Sequence, residues 1–326
     1  MHVRSRVRTT LFGIASILPC FHAQAQTSPY PNRPVKLVVP FAAGGPADVV
    51  AREIGVALGK VLGQTFVVDN LGGGAGYPAM SAVSRAAPDG YTLLFAASGN
   101  VVVQPLLMKS VADAAKRLAP VGMVTTSPHV LTVSTKLPVY SAKDLIAYAK
   151  ANPGKVNFGS AGVGGLAHLG MEQFKATAKI DVNHVPYKGT ALILNDLAAG
   201  EIQAAFSSYP SLKAMIDKGA IRAIGVTAPS ASPSLKNIPL ISASGLPGFQ
   251  YTTWYGIYTT AGTPRDTVNR LNTALAEIGK DKALRDRLDA QGVDLHVTSA
   301  EEMSSVANRE SAEWARIIRN ANISLN

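Results

Sequence analysis

Two stretches of this chain follow one plan. In residues 35–48, V-K-L-V-V-P-F-A-A-G-G-P-A-D, a β-branched run ends at Pro40-Phe41, passes through small residues to Gly44-Gly45 and enters an amphipathic helix near Ala47. Residues 156–159 lead in the same way through Ser160-Ala161-Gly162-Val163-Gly164-Gly165 to a helix beginning near Leu166. A strand, a small-residue turn and a helix form the repeating unit of a mostly parallel sheet covered on both faces. Each such turn exposes unpaired backbone N–H groups at the positive end of a helix dipole, which favours an anion. The first turn contains no nucleophile, metal-ligand pair or lysine. It reads as a backbone cradle for a negative group rather than a site that does chemistry on one.

The alternation continues along the chain. Strands are expected at 66–68, 91–96, 121–125, 130–134, 183–186, 203–206, 223–227 and 253–260, and helices at 47–62, 78–86, 191–199, 211–218, 264–278 and 301–319. Ser141-x-x-Asp144 has the form of a helix-capping motif and opens a further helix that stops at Asn152-Pro153-Gly154. Residues 228–247 are rich in Ser and Pro and read as a long connection returning to the first lobe. The segment after it has no glycine turn and is expected to pack back there. The division is therefore 26–126 with 249–326 as lobe one and 127–248 as lobe two, joined by at least two crossings.

The N-terminus reads as an export signal. Arg4, Arg6 and Arg8 precede an apolar run at 11–21, too short to span a bilayer, and Ala23-Gln24-Ala25 supplies a cleavage site after Ala25. The segment before Cys20 loosely resembles a lipobox, which Pro19 argues against. Cleavage removes Cys20, the single cysteine, so disulfides, thiol catalysis and cysteine-ligated metals are not expected in the mature chain. Cleavage also leaves 28 basic against 21 acidic residues. That surplus is scattered, with no basic block, so no nucleic-acid partner is expected. A diffuse positive field helps collect a small anion, and it serves equally as ordinary solubility charge.

Several residues have two readings. Gly74-x-Gly76-x-x-Ala79 and Gly162-x-Gly164-x-x-Ala167 fit a dinucleotide fingerprint, the second with Asp181 about twenty residues on. Glycine-rich turns serve many anions, however, and an exported chain is poorly placed to meet soluble NAD. Ser160 lacks the G-x-S-x-G context of a nucleophile elbow. His129, His168 and His184 have no metal-like spacing, and His168 is either a packed or capping histidine or a ligand contact. Lys188, in Pro186-Tyr187-Lys188-Gly189, faces a cleft or is a solvated turn lysine. Asp48 caps its own helix by default. Phe41 is either core packing or a wall of the site.

Taken together these segments resemble the Bug-type periplasmic solute-binding proteins, receptors of tripartite tricarboxylate transporters. The carrying residues run from Tyr30-Pro31-x-Arg33-Pro34 through Gly44-Gly45 and Asp48, then Ala86-Ala87-Pro88-Asp89-Gly90-Tyr91, Phe158-Gly159-Ser160-Ala161-Gly162, His168-Leu169, His184-Val185-Pro186-Tyr187-Lys188-Gly189 and Trp254-Tyr255-Gly256. The resemblance implies a two-lobed periplasmic-binding-protein-like α/β fold, each lobe a mainly parallel sheet flanked by helices, with the ligand cleft between lobes. It implies a monomeric, non-enzymatic receptor without cofactor or metal, which closes on a small organic anion and delivers it to membrane transporter subunits. The loops carried over as ligand-binding are Phe41, Ala42, Ala43, Gly44 and Gly45 with Asp48, and Ser160, Ala161, Gly162 and Gly164 with His168. Lys188 joins them. Two segments depart from the family pattern. Residues 97–105, where Ser98 and Asn100 are the candidates, replace the usual Gly-Thr-His and Ala-Ile-Asn-Pro segments. Ser207 stands where an acidic residue often meets a ligand amino group. The readings left beside this one are a secreted α/β enzyme acting on a carboxylated substrate and an NAD-binding oxidoreductase.

The Ser207 departure predicts a preference for carboxylates without an amino group. Calorimetry is expected to give tighter binding of dicarboxylates than of aspartate or glutamate, and the reverse order contradicts it.

Overall fold

The computed structural model describes residues 30–228 and 233–325. The expected export signal, its cleavage site and Cys20 lie outside the described residues. No helix among the described residues is long and apolar enough to cross a membrane.

Strand β1 (Val35–Val39) carries no polar alternation beyond Lys36, and its other four residues are buried, as a strand covered on both faces requires. It pairs in parallel with β2 (Phe66–Asn70) and β3 (Thr92–Ala97). Leu37 and Val39 pack under the helix Pro46–Leu62, through Val50, Ile54 and Leu58. Val38, Leu94 and Ala96 face the opposite core with Met80 and Val83 of the helix Tyr77–Ser84. The remaining strands are β4 (Leu118–Ser134), β5 (Asn157–Ser160), β6 (Asn183–Pro186), β7 (Ala204–Ser208), β8 (Ile221–Val226), β9 (Thr252–Thr260) and β10 (Asp294–Leu295). They form one curled sheet of order β2-β1-β3-β9-β4-β7-β5-β6, with β8 and β10 also paired to β4.

β4 holds the two halves of this sheet together. Its residues 118–128 run antiparallel to β9, and residues 129–134 run antiparallel to β7 and β8. The sequence pattern predicts two strands here, interrupted around Ser127-Pro128. The structure has one strand of 17 residues, and the interruption marks a change of partner: Pro128 is the last residue registered with β9 and His129 the first registered with β7. The mainly parallel arrangement expected is found in β2-β1-β3 and β6-β5-β7. β4 and β9 are antiparallel to their neighbours because each runs directly across the junction instead of returning through a helix.

One buried side chain ties the crossing segments. Thr227, just past β8, accepts the His129 N–H on its Oγ1 at 2.9 Å and donates the hydroxyl to Tyr251 O at 2.5 Å. Its backbone bonds to both segments as well. The C-terminal helix Ala300–Asn320 also spans the junction. Glu310 accepts from Trp254 Nε1 of β9 at 2.9 Å, and Glu313 from Gln173 of the helix Leu166–Ala178 at 3.1 Å. The segment thus meets β9 of the first half, where it is expected to pack, and a helix of the second half as well. The helices Gln104–Leu107, Lys109–Ala115 and Lys282–Asp289 carry no expectation from the sequence. The 228–247 connection, as far as it is described, buries Leu235, Ile241 and Leu246 through two short helical turns.

Gly170 sits inside the helix Leu166–Ala178, where alanine normally stabilises by about 0.5–1 kcal/mol. A Cβ there would collide with the ring of the buried Tyr251. Gly170→Ala is therefore expected to destabilise by about 1–3 kcal/mol, read as a lowered denaturant midpoint. An unchanged or raised midpoint contradicts the packing.

Candidate ligand-binding cleft

A cavity of about 270 Å³ opens between the two halves of the sheet, close to the liquid volume of about nine waters. Its walls come from the segments that leave the parallel strands: Phe41 after β1, Ala75 after β2, Gly99, Asn100 and Gln104 after β3, the Ser160–Gly162 turn and Gly165–His168 after β5, Thr190 and Ile193 after β6, and Ser208 after β7. His129, Thr253 and Tyr255 add the junction strands. The carboxyl ends of parallel strands are where open α/β sheets bind ligands.

Three helices begin at this wall: Leu166–Ala178, Thr190–Ala199 and Tyr209–Asp217. Their N-caps, Gly165, Gly189 and Ser208, make no side-chain capping bond. Their first turns therefore take no side-chain cap from the N-cap residue, and residues at each helix start line the cavity, at a dipole end worth roughly half a positive charge. The residues lining the cavity carry no side-chain charge at neutral pH, since burial pulls both His129 and His168 down to about 4. An anion entering it meets backbone donors and dipoles, not a lysine or arginine.

The two glycine turns have the same backbone. Gly44 and Gly164 take φ of +80° and +72°. Gly45 and Gly165 follow at φ −78°, ψ 166° and φ −74°, ψ 159°. In the first turn the Gly44 N–H donates to Asp48 Oδ2 at 2.9 Å, and in the second the Gly164 N–H donates to His168 Nδ1 at 3.1 Å. A carboxylate and a neutral imidazole thus hold equivalent turns from equivalent helix positions. Asp48 is further bound by Arg52 and Asn70. Burial raises its pKa, but the bonds from Arg52, Gly44 and Asn70 outweigh this and hold it below its ordinary value. Asn70 Nδ2 also fixes the loop through Phe41 O at 3.1 Å.

The expected site residues divide. Phe41, Asn100, Ser160, Ala161, Gly162, His168 and Ser207 line the cavity. Phe41 serves both readings, packing on the first core while forming the wall. Ala42, Ala43, Gly44 and Gly45 stand outside the lining; the first three are exposed, and the Gly44 N–H is taken by Asp48. Asp48 itself is buried in that cap. Ser98 is buried behind the wall, accepting from the Trp254 N–H. Gly164 is covered by Leu107, whose Cδ1 lies 2.5 Å from where a Cβ would stand. Lys188 is exposed and stands outside the lining. Of the two fingerprint-like turns, Gly74–Gly76 is closed by Asn100, whose Nδ2 lies 2.7 Å from a Cβ placed at Gly76. His129, Gln104, Thr190, Ser208 and Thr253 join the lining without a sequence expectation that they would. Ser208 has a legible signal, since Ser followed by Tyr209-Pro210 is a helix start.

Behind the second turn lies a histidine pair. The His168 and His184 rings stack 3.8 Å apart and 12° from parallel. Ser160 donates its hydroxyl to Gly162 O at 3.0 Å, which leaves His184 Nε2, 2.6 Å away, as donor to Ser160 Oγ. His168 must keep Nδ1 unprotonated to accept from Gly164. Burial first, then neighbouring positive charge, pulls both rings down to about 4.

The family model described as tripartite tricarboxylate transporter family receptor matches residues 50–323. A UPF0065 protein from the tcbD-tcbE intergenic region of Pseudomonas sp. strain P51 is 34% identical over 95% of this chain and 93% of its own. Among solved structures, R. palustris Rpa4515 with adipate is similar at a TM-score of 0.81 and 33% identity, covering 90% of this chain and 99% of that one. MatC from Rhodopseudomonas palustris with bound malate follows at 0.75 and 28%, covering 89% and 100%.

Because the folded His168 pKa lies below its unfolded value, its neutral form stabilises the fold above about pH 6.5, and that contribution is lost as pH falls towards 4. His168→Asn keeps an acceptor for the Gly164 N–H that does not titrate. The stability change between pH 7 and pH 5, measured by urea denaturation, should become less unfavourable to the fold at pH 5 in this variant. Comparing variant with parent cancels the opposite contribution of Glu310, which burial pushes up to about 7. Identical pH profiles contradict the assigned role.

Proposed function

This chain belongs to the tripartite tricarboxylate transporter receptor family, and from that premise we propose that its cleft holds a small carboxylate on helix N-termini and closes around it. As a member of that family it is a periplasmic solute-binding receptor. The observation that carries the proposal is the convergence of three helix starts without a side-chain cap, at Leu166, Thr190 and Tyr209, on a cavity whose lining is uncharged. Dipoles of that sign stabilise a buried carboxylate without a partner cation. The adipate and malate of the two similar structures suggest the class of solute.

The lobes comprise residues 26–126 with 249–326 and residues 127–248, and they move about the Thr227 junction. Ligand contacts that improve on closure shift the population towards the closed state. The Phe41–Gly45 loop supplies a wall and, through Ala42 and Ala43, further contact as the lobes approach. The closed monomer presents the solute to membrane transporter subunits and leaves it chemically unchanged. The chain reaches its compartment through the export signal cleaved after Ala25.

A thermal-shift screen over mono-, di- and tricarboxylates and aromatic acids tests this. A ligand at a hundredfold excess over its Kd stabilises by about 2.7 kcal/mol, which shifts Tm by several degrees in a chain of this size. The bound acid is expected to be recovered intact by mass spectrometry. No shift with any carboxylate, or consumption of the acid, overturns the proposal.

A further inference from the structure

The two glycine turns share a backbone but not a cover. Gly44 is exposed, whereas Gly164 is buried. A Cβ placed on Gly44 would meet nothing within 4 Å. One placed on Gly164 would lie 2.5 Å from Leu107 Cδ1 and 3.7 and 3.8 Å from the two δ-carbons of Leu325. Leu107 ends the helix Gln104–Leu107 of the first half, and Leu325 belongs to the segment that follows the helix Ala300–Asn320. Two leucines from separate elements therefore roof one turn of the second half.

The roof is aimed by a built helix ending. After Ala321, the C-cap of Ala300–Asn320, Asn322 takes φ +50°. The Asn322 N–H donates to Arg319 O at 3.2 Å and the Ile323 N–H to Ile318 O at 3.0 Å. These are the paired 5→2 and 6→1 bonds of a Schellman motif, in which one left-handed residue turns the chain off the helix axis. Asparagine is among the few residues other than glycine that visit that conformation routinely. Ile323 then packs on the same core as Leu107, and Leu325 is only two residues further on. The roofed turn is also tied to the first half by Gln104, whose Nε2 donates to Gly164 O at 3.3 Å.

Apolar cover between two movable bodies is buried in one arrangement and lost in the other, so it favours the first. Resting on the reading that the two halves move about Thr227, though not on the identity of the solute, we propose that residues 321–325 form a strap that, with Leu107, holds the Gly164 turn against the first half and biases the cleft towards its closed arrangement. Opening the cleft then requires the strap to lift.

Amide exchange, read by NMR on the ligand-free chain from residue 26, tests the strap. The Gly164 N–H, held by His168 under the roof, is expected to exchange more slowly than the Gly44 N–H, held by Asp48 in the open, after correction for intrinsic rates. Leu325→Ser should speed exchange at Gly164 roughly fivefold or more and leave Gly44 unchanged. Asn322→Val, which forces a β-branched residue into the left-handed region, should do the same, whereas Asn322→Gly should behave like the parent. Melting shows that each variant folds. Closure is read separately. The chain from residue 26 has no cysteine, so Lys60→Cys and Lys218→Cys, exposed positions at helices of the two halves, accept a pair of spin labels. Leu325→Ser is expected to add a second component to their distance distribution, or to enlarge an existing minor one roughly fivefold. Unchanged exchange at Gly164, or equal acceleration at Gly44, overturns the strap; unchanged distances overturn its bias on closure. If a carboxylate stabilises the parent while Leu325→Ser alters neither exchange nor distances, the strap fails and the proposed function stands. If both change as expected while the carboxylate screen is silent, the proposed function fails and the strap stands.

Discussion

The molecule turns on the hydroxyl of Thr227. At that point β4 leaves one half of the sheet for the other, β8 ends and the chain heads for β9, and one residue joins the three segments through its buried side chain and its backbone. A buried hydroxyl that both donates and accepts leaves no polar group unsatisfied and locks the crossing geometry without bulk. The strands on either side carry the cavity walls: His129 on β4, Thr253 and Tyr255 on β9. Any rotation of one half against the other is therefore referred to this point. The C-terminal helix, bonded to Trp254 on one side and to Gln173 on the other, is the second tether.

The cleft separates two physical tasks. On the proposed reading, charge is met by helix N-termini, whose donors are backbone and whose dipoles need no reorganisation when a ligand arrives. Shape and substituent are then left to the side chains that line the cavity, from the run 99–104 and from the junction strands. The two glycine turns show how the backbone part is held. Each is closed from its own helix, by Asp48 or by His168, at the same position and nearly the same dihedrals. The first cap is a carboxylate locked by Arg52 and Asn70; the second is an imidazole that works only while neutral.

Much of this frame is legible in sequence. β1 is recognisable from its valine-rich apolar run, interrupted only by Lys36, and the helices at Pro46 and Leu166 from the glycines before them. The capping motif at Ser141 is realised as the Asp144 N–H donating to Ser141 Oγ. What sequence misses has specific causes. β4 reads as two strands because Pro128 and the polar residues before it interrupt the apolar pattern, although a change of partner does not end a strand. Lys282–Asp289 is charge-rich and offers only Leu284 and Leu288 as buried positions. Gln104 becomes meaningful only once its nitrogen is seen engaged by Gly164 across the cleft. His129 and Thr253 are 124 residues apart and meet only because β4 and β9 are neighbours. Lys188, attractive beside a strand end, is exposed to solvent.

A grip made of main-chain amides has a consequence for the history of such a chain. Side-chain substitutions leave N–H groups where they are, so a carboxylate held as proposed would be largely immune to point mutation outside the glycines that shape the turns. Lining side chains such as those at positions 100, 104 and 129 would have the opposite freedom. Exchanging them would change which solute fits without releasing the acid group.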